Sequence, residues 1–438
     1  MTSEQRSLSD LKENSEDYRK PYALRRQGID KPELWTVHQL GELLELEYGN
    51  SLPKDDRNEG PYPVFGSNGR SGWHSDYHVE APGIIVGRKG VNLGIEWSDK
   101  NFNVIDTAYF INSDSLKVSD IDLRFLYYHL LDFDLDRLKS GSAVPGLNRN
   151  DFYEETVALP PLDEQKKIAE LLNNFDRKIE TNNRISNKLE ELAHTLFKHQ
   201  FIDFESYSDF KDSEIGKIPD DFEMVEVDDL VWSGRGYSYT SEYLDKEDEI
   251  EGSYPMINLK NVKEGGGFRT DGYKYYTEDS MKDRYLIEEG DLIVAITDLT
   301  QEGGLIGSPA LIPELDEDKN IISQDVAKIV PEEVPREFLY HLFKTERFQE
   351  YAKSVATGTT VLHLSLTSIG EFEFALPPEE EIEEFAQLAR KIHKKKSSII
   401  QENSRLEDIR DTLLPKLVSG EVRVNDISLD DLEVGSEV

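Results

Sequence analysis

The chain has 438 residues, enough for two to four domains with cores of their own, and its 88 acidic and 50 basic side chains leave a formal net charge of −38. It contains no cysteine, which excludes disulfides, thiolate nucleophiles and Cys-ligated zinc. With no run of about eighteen apolar residues and no charged-then-apolar leader, it reads as a cytoplasmic protein with nothing in a membrane.

Residues 1–30 are polar, balanced in charge and without periodicity, and read as a flexible N-terminal arm, with order expected from Pro32. Residues 31–160 alternate short apolar runs with Gly and Asn turns and end on an amphipathic stretch near Leu123 to Leu131, the pattern of a mixed α/β domain. Residues 161–200 follow Leu159-Pro160-Pro161. Proline is tolerated just before a helix and excluded from its interior, so a long helix should start near Asp163 and meet no break before Phe201. A linker is expected at 201–217, then a second mixed α/β domain at 218–376 with one helix near Arg336 to Lys353. A second long helix is expected at 377–420, from about Glu379 to Pro415, and an acidic, frayed tail at 421–438.

The order repeats itself. Gly141 aligns with Gly358, Ala158-Leu159-Pro160-Pro161 with Ala375-Leu376-Pro377-Pro378, and Thr195-Leu196 with Thr412-Leu413, all at an offset of 217 residues. One offset held from Gly141 to Gln200 means duplication. The domains have diverged more: Trp35 faces Phe222, Gly83-Ile84-Ile85-Val86 faces Asp291-Leu292-Ile293-Val294, and Phe125-Leu126-Tyr127 faces Phe338-Leu339-Tyr340.

The long segments carry heptads. The first places Ile168, Phe175, Asn182, Leu189 and Leu196 at a, and Leu171, Lys178, Ile185 and Leu192 at d. The second places Phe385, Ile392, Ile399, Leu406 and Leu413 at a, and Leu388, Lys395, Glu402 and Ile409 at d. An antiparallel pair sets Lys178 near Glu402, whereas a parallel pair sets Lys178 against Lys395. The expected architecture is therefore two tandem mixed α/β domains joined by two long helices forming an antiparallel coiled coil. Phe175, Lys178, Asn182, Leu189, Ile392, Ile399, Glu402 and Leu406 are its expected core.

Catalytic motifs are scarce. There is no phosphate loop of the Gly-x-x-x-x-Gly-Lys type, no Gly-x-Gly-x-x-Gly and no His-Glu-x-x-His. His129 and His341 sit in apolar helix patterns and read as satisfied packing residues, and no metal or catalytic residue is assigned. What recurs beside equivalent strands is a set of Gly, Asn and basic turns. The first domain offers Ser67, Asn68, Arg70, Arg88, Lys89, Asn92, Lys139 and Ser142. The second offers Arg235, Tyr237, Asn258, Lys260, Asn261 and Thr359, with Lys263 and Arg269 adding positive potential. Glycine lets a backbone approach phosphates, Asn pairs with adenine and Arg with guanine, so the set is expected to bind DNA. Each turn, taken singly, is equally a β-turn using Gly and Asn at positive φ.

Over residues 31 to 420 the chain resembles the DNA-specificity subunits of type I restriction-modification systems. The likeness rests on Gly60-Pro61-Tyr62-Pro63-Val64-Phe65-Gly66-Ser67-Asn68-Gly69, Gly83-Ile84-Ile85-Val86-Gly87-Arg88-Lys89-Gly90, Leu159-Pro160-Pro161-Leu162-Asp163-Glu164-Gln165 and Ile215-Gly216-Lys217-Ile218-Pro219. It implies two target-recognition domains, each reading half of a split double-stranded DNA sequence. It also implies modification (methyltransferase) subunits that methylate adenine with S-adenosylmethionine, and restriction (endonuclease/translocase) subunits that use ATP and Mg. This chain itself would be non-catalytic and hold no cofactor. A helix of ~37 residues is a rod of roughly 55 Å, longer than a DNA turn of about 34 Å, so the helices would set the gap between half-sites. The acidity argues the other way, toward a bivalent coiled-coil scaffold for basic proteins, since phosphate neutralisation needs Lys and Arg.

Overall fold

The computed structural model describes residues 21–90, 92–141, 145–245, 253–277, 281–315 and 319–427. They form two compact units, the described residues of 21–179 with 405–427 and those of 180–404. The division falls inside the long helices, so each unit holds one α/β body and part of both helices.

In the first unit the run Gly83–Gly87 is buried throughout, as expected of a strand covered on both faces. It lies antiparallel to Ala108–Asn112 on one side and Ile95–Ser98 on the other, and Glu47–Tyr48 completes a four-stranded sheet. Successive side chains point to opposite faces. Ile84 and Val86 join the main core with Leu43, Phe125 and Leu126, while Ile85 joins Phe65, Phe102 and Val104 in a smaller one. Tyr62–Gly66 pairs antiparallel with Gly69–His74 and parallel with Asn103–Val104. Thr36–Gln39 pairs with Thr156–Leu159, which leads into the first long helix.

The second unit repeats this plan. Leu292–Ala295 is the buried central strand, between Val326–Pro331 and Pro309–Leu311, with Val231–Arg235 beyond. Tyr254–Ile257 runs parallel to Asn320–Ile322, and Glu223–Glu226 pairs with Glu373–Leu376. The duplication read from the sequence is thus also a duplication of topology.

The long helices are Leu162–Phe201 and Glu379–Ser419. They run antiparallel within each unit. In the first, Ile168 and Leu172 share a core with Leu414 and Leu417, and Arg410 Nη1 donates to Asp176 at 2.8 Å. In the second, Asn182 Nδ2 donates to Glu402 and to Asn403, both at 2.9 Å, and the Phe197 and Phe385 rings stack edge-on at 5.2 Å. Asn182 is 2% exposed, the buried polar position that an Asn at a was expected to take.

Several expectations need correction. The arm 1–30 is not all loose: Tyr22–Gln27 is a helix that buries Ala23 and Leu24, and residues 1–20 lie outside the described set. The tail is not frayed from Gly420. Val422, Val424 and Ile427 pack on the first core and Arg423 forks onto Glu164 at 2.7 Å, with residues 428–438 outside the described set. The linker 201–217 holds most of a hairpin, Phe210–Ser213 with Gly216–Pro219. The helix expected at Arg336 to Lys353 is two helices, Arg336–Phe343 and Glu346–Val355, because the Thr345 hydroxyl accepts from Phe348 N and starts a new helix. Pro415 does not end its helix: the carbonyl that its missing N–H would have engaged belongs to exposed Asp411, where water can satisfy it.

The a positions of the heptad hold better than the d positions. Ile168, Asn182, Ile392 and Ile399 are buried, and Phe175, Leu189 and Leu406 half-buried. The second row of the seam falls one residue after the expected d, at Leu172, Ile179, Ala193, Ala389 and Asn403. Lys178 is consequently exposed rather than part of a core, and it belongs to the first unit, whereas half-buried Glu402 belongs to the second.

Candidate nucleic-acid interface

In the first unit the glycine turn Gly66-Ser67-Asn68-Gly69 closes the hairpin, Gly69 sitting at a φ of 93° that a side chain rarely adopts. Ser67 is buried there. Its hydroxyl donates to the Thr107 carbonyl and accepts from the backbone N–H groups of Arg88 and Lys89, so it holds two loops together and is not free to read a base. Asn68 and Arg70 are exposed at the turn, the Arg70 guanidinium 4.9 Å from the Trp73 ring.

The loop that Ser67 fixes presents Arg88 and Lys89. Arg88 Nη1 donates to the Asp106 carbonyl at 2.8 Å, and its guanidinium lies 5.0 Å from the Tyr48 ring and 5.6 Å from Tyr109. Arg149 lies 5.3 Å from the Tyr48 ring and 5.2 Å from Tyr153, with Lys117 5.7 Å from Tyr153, and both cations pair with Glu45, at 2.8 and 3.9 Å. The result is an alternating row of cations and phenol rings on an otherwise acidic body. A hydrogen bond from Tyr109, together with Arg149 and Arg88, outweighs the slight desolvation of Tyr48 and lowers its phenol below the ordinary value. Arg149 spends Nε on the Tyr153 hydroxyl and Nη2 on Glu45 and the Leu46 carbonyl, so the row offers a phosphate or a guanine edge chiefly the guanidinium of Arg88, the planar donor suited to bidentate contact. Arg88→Ala should weaken binding of cognate DNA by roughly 1–3 kcal/mol in a titration with the assembled partner subunits; unchanged affinity removes Arg88 from the interface.

The strand that carries Lys139 pairs with Gly146–Leu147, and the Leu147 N–H donates to the Arg88 carbonyl at 2.9 Å. Lys139 pairs with Asp136 at 2.5 Å, exposed Asn92 lines a groove with Leu131 and Phe133, and Ser142 falls outside the described residues.

In the second unit Arg235 is exposed at the end of its strand and Tyr237 is half-buried in a cluster of tyrosines, 5.2 Å from Tyr276 and 5.1 Å from Tyr285. Gly236 between them is required, since a Cβ there would lie 2.2 Å from the Ser323 carbonyl oxygen. Arg284 lies 4.6 Å from the Tyr285 ring and Lys274 5.4 Å from Tyr239. Thr359 is exposed and its carbonyl accepts from Gln301. Asn258 and Asn261, expected to read bases, are buried and spend their amides on backbone: Asn258 on Met256 and Gly272, Asn261 on Arg269 and Asp271. Lys260 beside them is exposed.

The sequence reading missed Tyr48, Arg149, Lys274, Arg284 and Tyr285. The local interleaving of Tyr with Lys or Arg at Tyr273-Lys274-Tyr275-Tyr276 and Arg284-Tyr285 was a usable signal; Tyr48 and Arg149 meet only through folding. Among the described residues no group of His, Asp or Glu is placed to hold a metal, and no helix is long and apolar enough to cross a membrane.

Two topologically equivalent α/β units, each with a cationic, tyrosine-lined face and each built on the same pair of helices, define a duplicated recognition protein. The chain belongs to the family described by the type I restriction modification DNA specificity domain, whose model matches residues 32–191 and 219–407. Its role is therefore DNA-sequence specificity in a type I restriction-modification system. It is 25% identical over 420 residues to the type I restriction enzyme MjaVIII specificity subunit of Methanocaldococcus jannaschii, covering 92% of this chain and 96% of that one. To the HindI specificity subunit of Haemophilus influenzae it is 27% identical over 323 residues, 61% of this chain and 69% of that one. In fold it is similar to the S subunit of a type I restriction-modification system from M. genitalium, with a TM-score of 0.53 at 20% identity over 87% of this chain and 96% of that one.

Proposed function

We propose that the chain reads a bipartite duplex, one half per unit, and directs adenine methylation and cleavage that partner subunits perform. The observation that carries this is the repeat: a family model for DNA specificity matches twice, once on each body, and the two matched bodies carry different side chains on their basic faces. Two unlike readers call for two unlike half-sites. The bivalent-scaffold alternative is not favoured, because the acidity is interrupted where cations and tyrosines alternate.

In this reading the chain does no chemistry. The modification subunits supply S-adenosylmethionine-dependent methylation, and restriction subunits supply ATP- and Mg-dependent translocation and cutting. The stem offers the modification subunits a place to dock. In the second unit Ile185, Leu192 and Leu196 are 43%, 50% and 38% exposed along one side of the first long helix, an apolar stripe the antiparallel partner leaves uncovered. Leu192→Glu should leave folding intact and cut the amount of modification subunit co-purifying with the chain about tenfold or more; full assembly of the variant would place docking elsewhere.

The test of the function is selection of bound duplexes from a random pool by the chain assembled with its modification subunits. A split motif with a fixed gap is the expected product. Absence of any enriched sequence would leave only a scaffold.

A further inference from the structure

The second body is the more acidic, with 34 acidic and 14 basic side chains over residues 218–376, yet four of those 14 lie between Lys260 and Lys274 against two acids, Glu264 and Asp271. The loop that carries them is built rigidly. Val262 and Phe268 anchor it in a buried cluster with Ile293 and Ala310. Asn261 accepts from Asn258 N and donates to the carbonyls of Arg269 and Asp271, while Arg269 N returns a bond to the Asn261 carbonyl at 2.8 Å. Within the loop, Lys263 N donates to Gly267 O at 2.9 Å, Gly265 N to Ser308 Oγ at 3.1 Å and Gly267 N to Pro309 O at 2.8 Å.

What the loop displays is unbalanced charge. The side chains of Lys260, Lys263 and Arg269 are exposed and make no ion pair among the described residues. Lys344 and Lys396 are close by: Gly266, at a φ of 109°, would place a Cβ 2.8 Å from Lys344 Cγ, and burial first, then Lys396 and Arg269, lower the Lys263 pKa. Two carboxylates act on Lys263, Glu190 and the loop's own Asp271, and Glu190 is already engaged by Lys344, Lys396 and Tyr340. A fold that fixes more cations than carboxylates together gains by placing an anion there, and the glycine run Gly265-Gly266-Gly267 leaves the backbone open to a bulky one.

We propose that this loop binds the phosphodiester backbone of double-stranded DNA, with Lys263 and Arg269 making the contacts, Lys260 flanking them, and Asn258 and Asn261 as positioning residues that hold the loop in shape. The proposal rests on the DNA-reading function above and adds a contact that is blind to sequence. Because the site reads charge and not bases, it supplies affinity without altering the motif. An acidic protein surface would satisfy the same cations and is the competing occupant.

The test uses the chain assembled with its modification subunits and measures affinity against salt for a cognate and an unrelated duplex. Lys263→Gln with Arg269→Gln should weaken binding to both duplexes by about tenfold. It should also reduce the slope of log affinity against log salt by about 2, each lost phosphate contact removing about 0.9, and leave the selected motif unchanged. Lys263→Arg should restore most of the slope lost at that position. If wild type binds DNA and the double variant keeps its slope, the loop is not a phosphate site and the DNA-reading function stands. If the variant loses modification subunits with its slope unaltered, the occupant is protein. If wild type enriches and binds no duplex, the underlying function fails first.

Discussion

Glu190→Ala is expected to destabilise the second unit by about 3–5 kcal/mol, the loss that follows when one partner of a buried ion pair is removed and the others stay behind. Glu190 lies on the first long helix and accepts from the Tyr340 hydroxyl at 2.8 Å as well as from Lys344 and Lys396, whose side chains are only 10% and 18% exposed. It thereby ties both long helices to the body helix Arg336–Phe343 and the lysine that caps it. Burial raises the carboxyl's pKa, but Lys396 and Lys344 outweigh it and hold Glu190 well below its ordinary value; burial lowers Lys344, and Glu190 offsets part of that. Without the carboxylate two ammonium groups and a phenol remain under the helices with no acceptor. Hydrogen exchange over 336–343 and 385–400 is the readout, because a chain of two units gives no single unfolding free energy. Glu190→Ala should speed exchange there and leave 123–131 unchanged; protection equal to wild type would show the three-way bond to be incidental. Combining Glu190→Met with Lys344→Met and Lys396→Met should recover much of the loss, since a packed apolar set needs no counter-ion.

Acid should open the same joint. The His341 ring lies 6.1 Å from His194 and 5.7 Å from His393, among Phe197 and Phe385. Both nitrogens of His341, Nδ1 of His194 and Nε2 of His393 are buried without a hydrogen-bond partner, which corrects the expectation of a satisfied packing histidine at 341. Burial pushes His393 down to about 4 and His341 well below the usual imidazole value, with Lys396 and Lys344 adding repulsion and Glu190 opposing it. A depressed imidazole pKa means stability fully present above about pH 6.5 and lost as pH falls toward the folded value. For His393 the span from 6.5 to about 4 corresponds to about 3 kcal/mol at most. Glu190, also depressed, adds its own loss below about pH 4.5. Exchange over 385–400 should therefore accelerate between pH 6.5 and 4 after correction for intrinsic rates, and His393→Phe should flatten that dependence. A pH-independent joint would mean that water or motion solvates these rings.

The contrast with the first unit shows what could be read in advance. At the 217-residue offset of the helices His393 stands where the first helix has Asp176, and in the body alignment of Phe125-Leu126-Tyr127 with Phe338-Leu339-Tyr340 the residue after each run is Tyr128 and His341. There the Tyr128 hydroxyl donates to Asp176 at 2.5 Å and Arg410 completes the set. Repeat alignment could therefore nominate the positions, but which charges meet depends on helix pairing. The Leu-Pro-Pro steps fixed where both long helices start because proline acts locally. The second row of the seam was misjudged because Ala193 and Ala389 are small: large neighbours such as Leu192 and Leu388 drew the assignment, yet close helix approach favours the alanines. Asn258 and Asn261 look like base readers in a sequence, where nothing distinguishes an amide facing DNA from one bonded to its own loop. Tyr48 and Arg149 are a hundred residues apart, and only the sheet brings their rings and guanidinium together.

The long helices run unbroken through both units and should set the gap between the proposed half-sites. The direct test is methylome sequencing of a host carrying the chain with one heptad removed from each helix, at matched positions of the pair. Both half-site sequences should persist with an altered gap between them. New half-site sequences at the original gap would contradict the account.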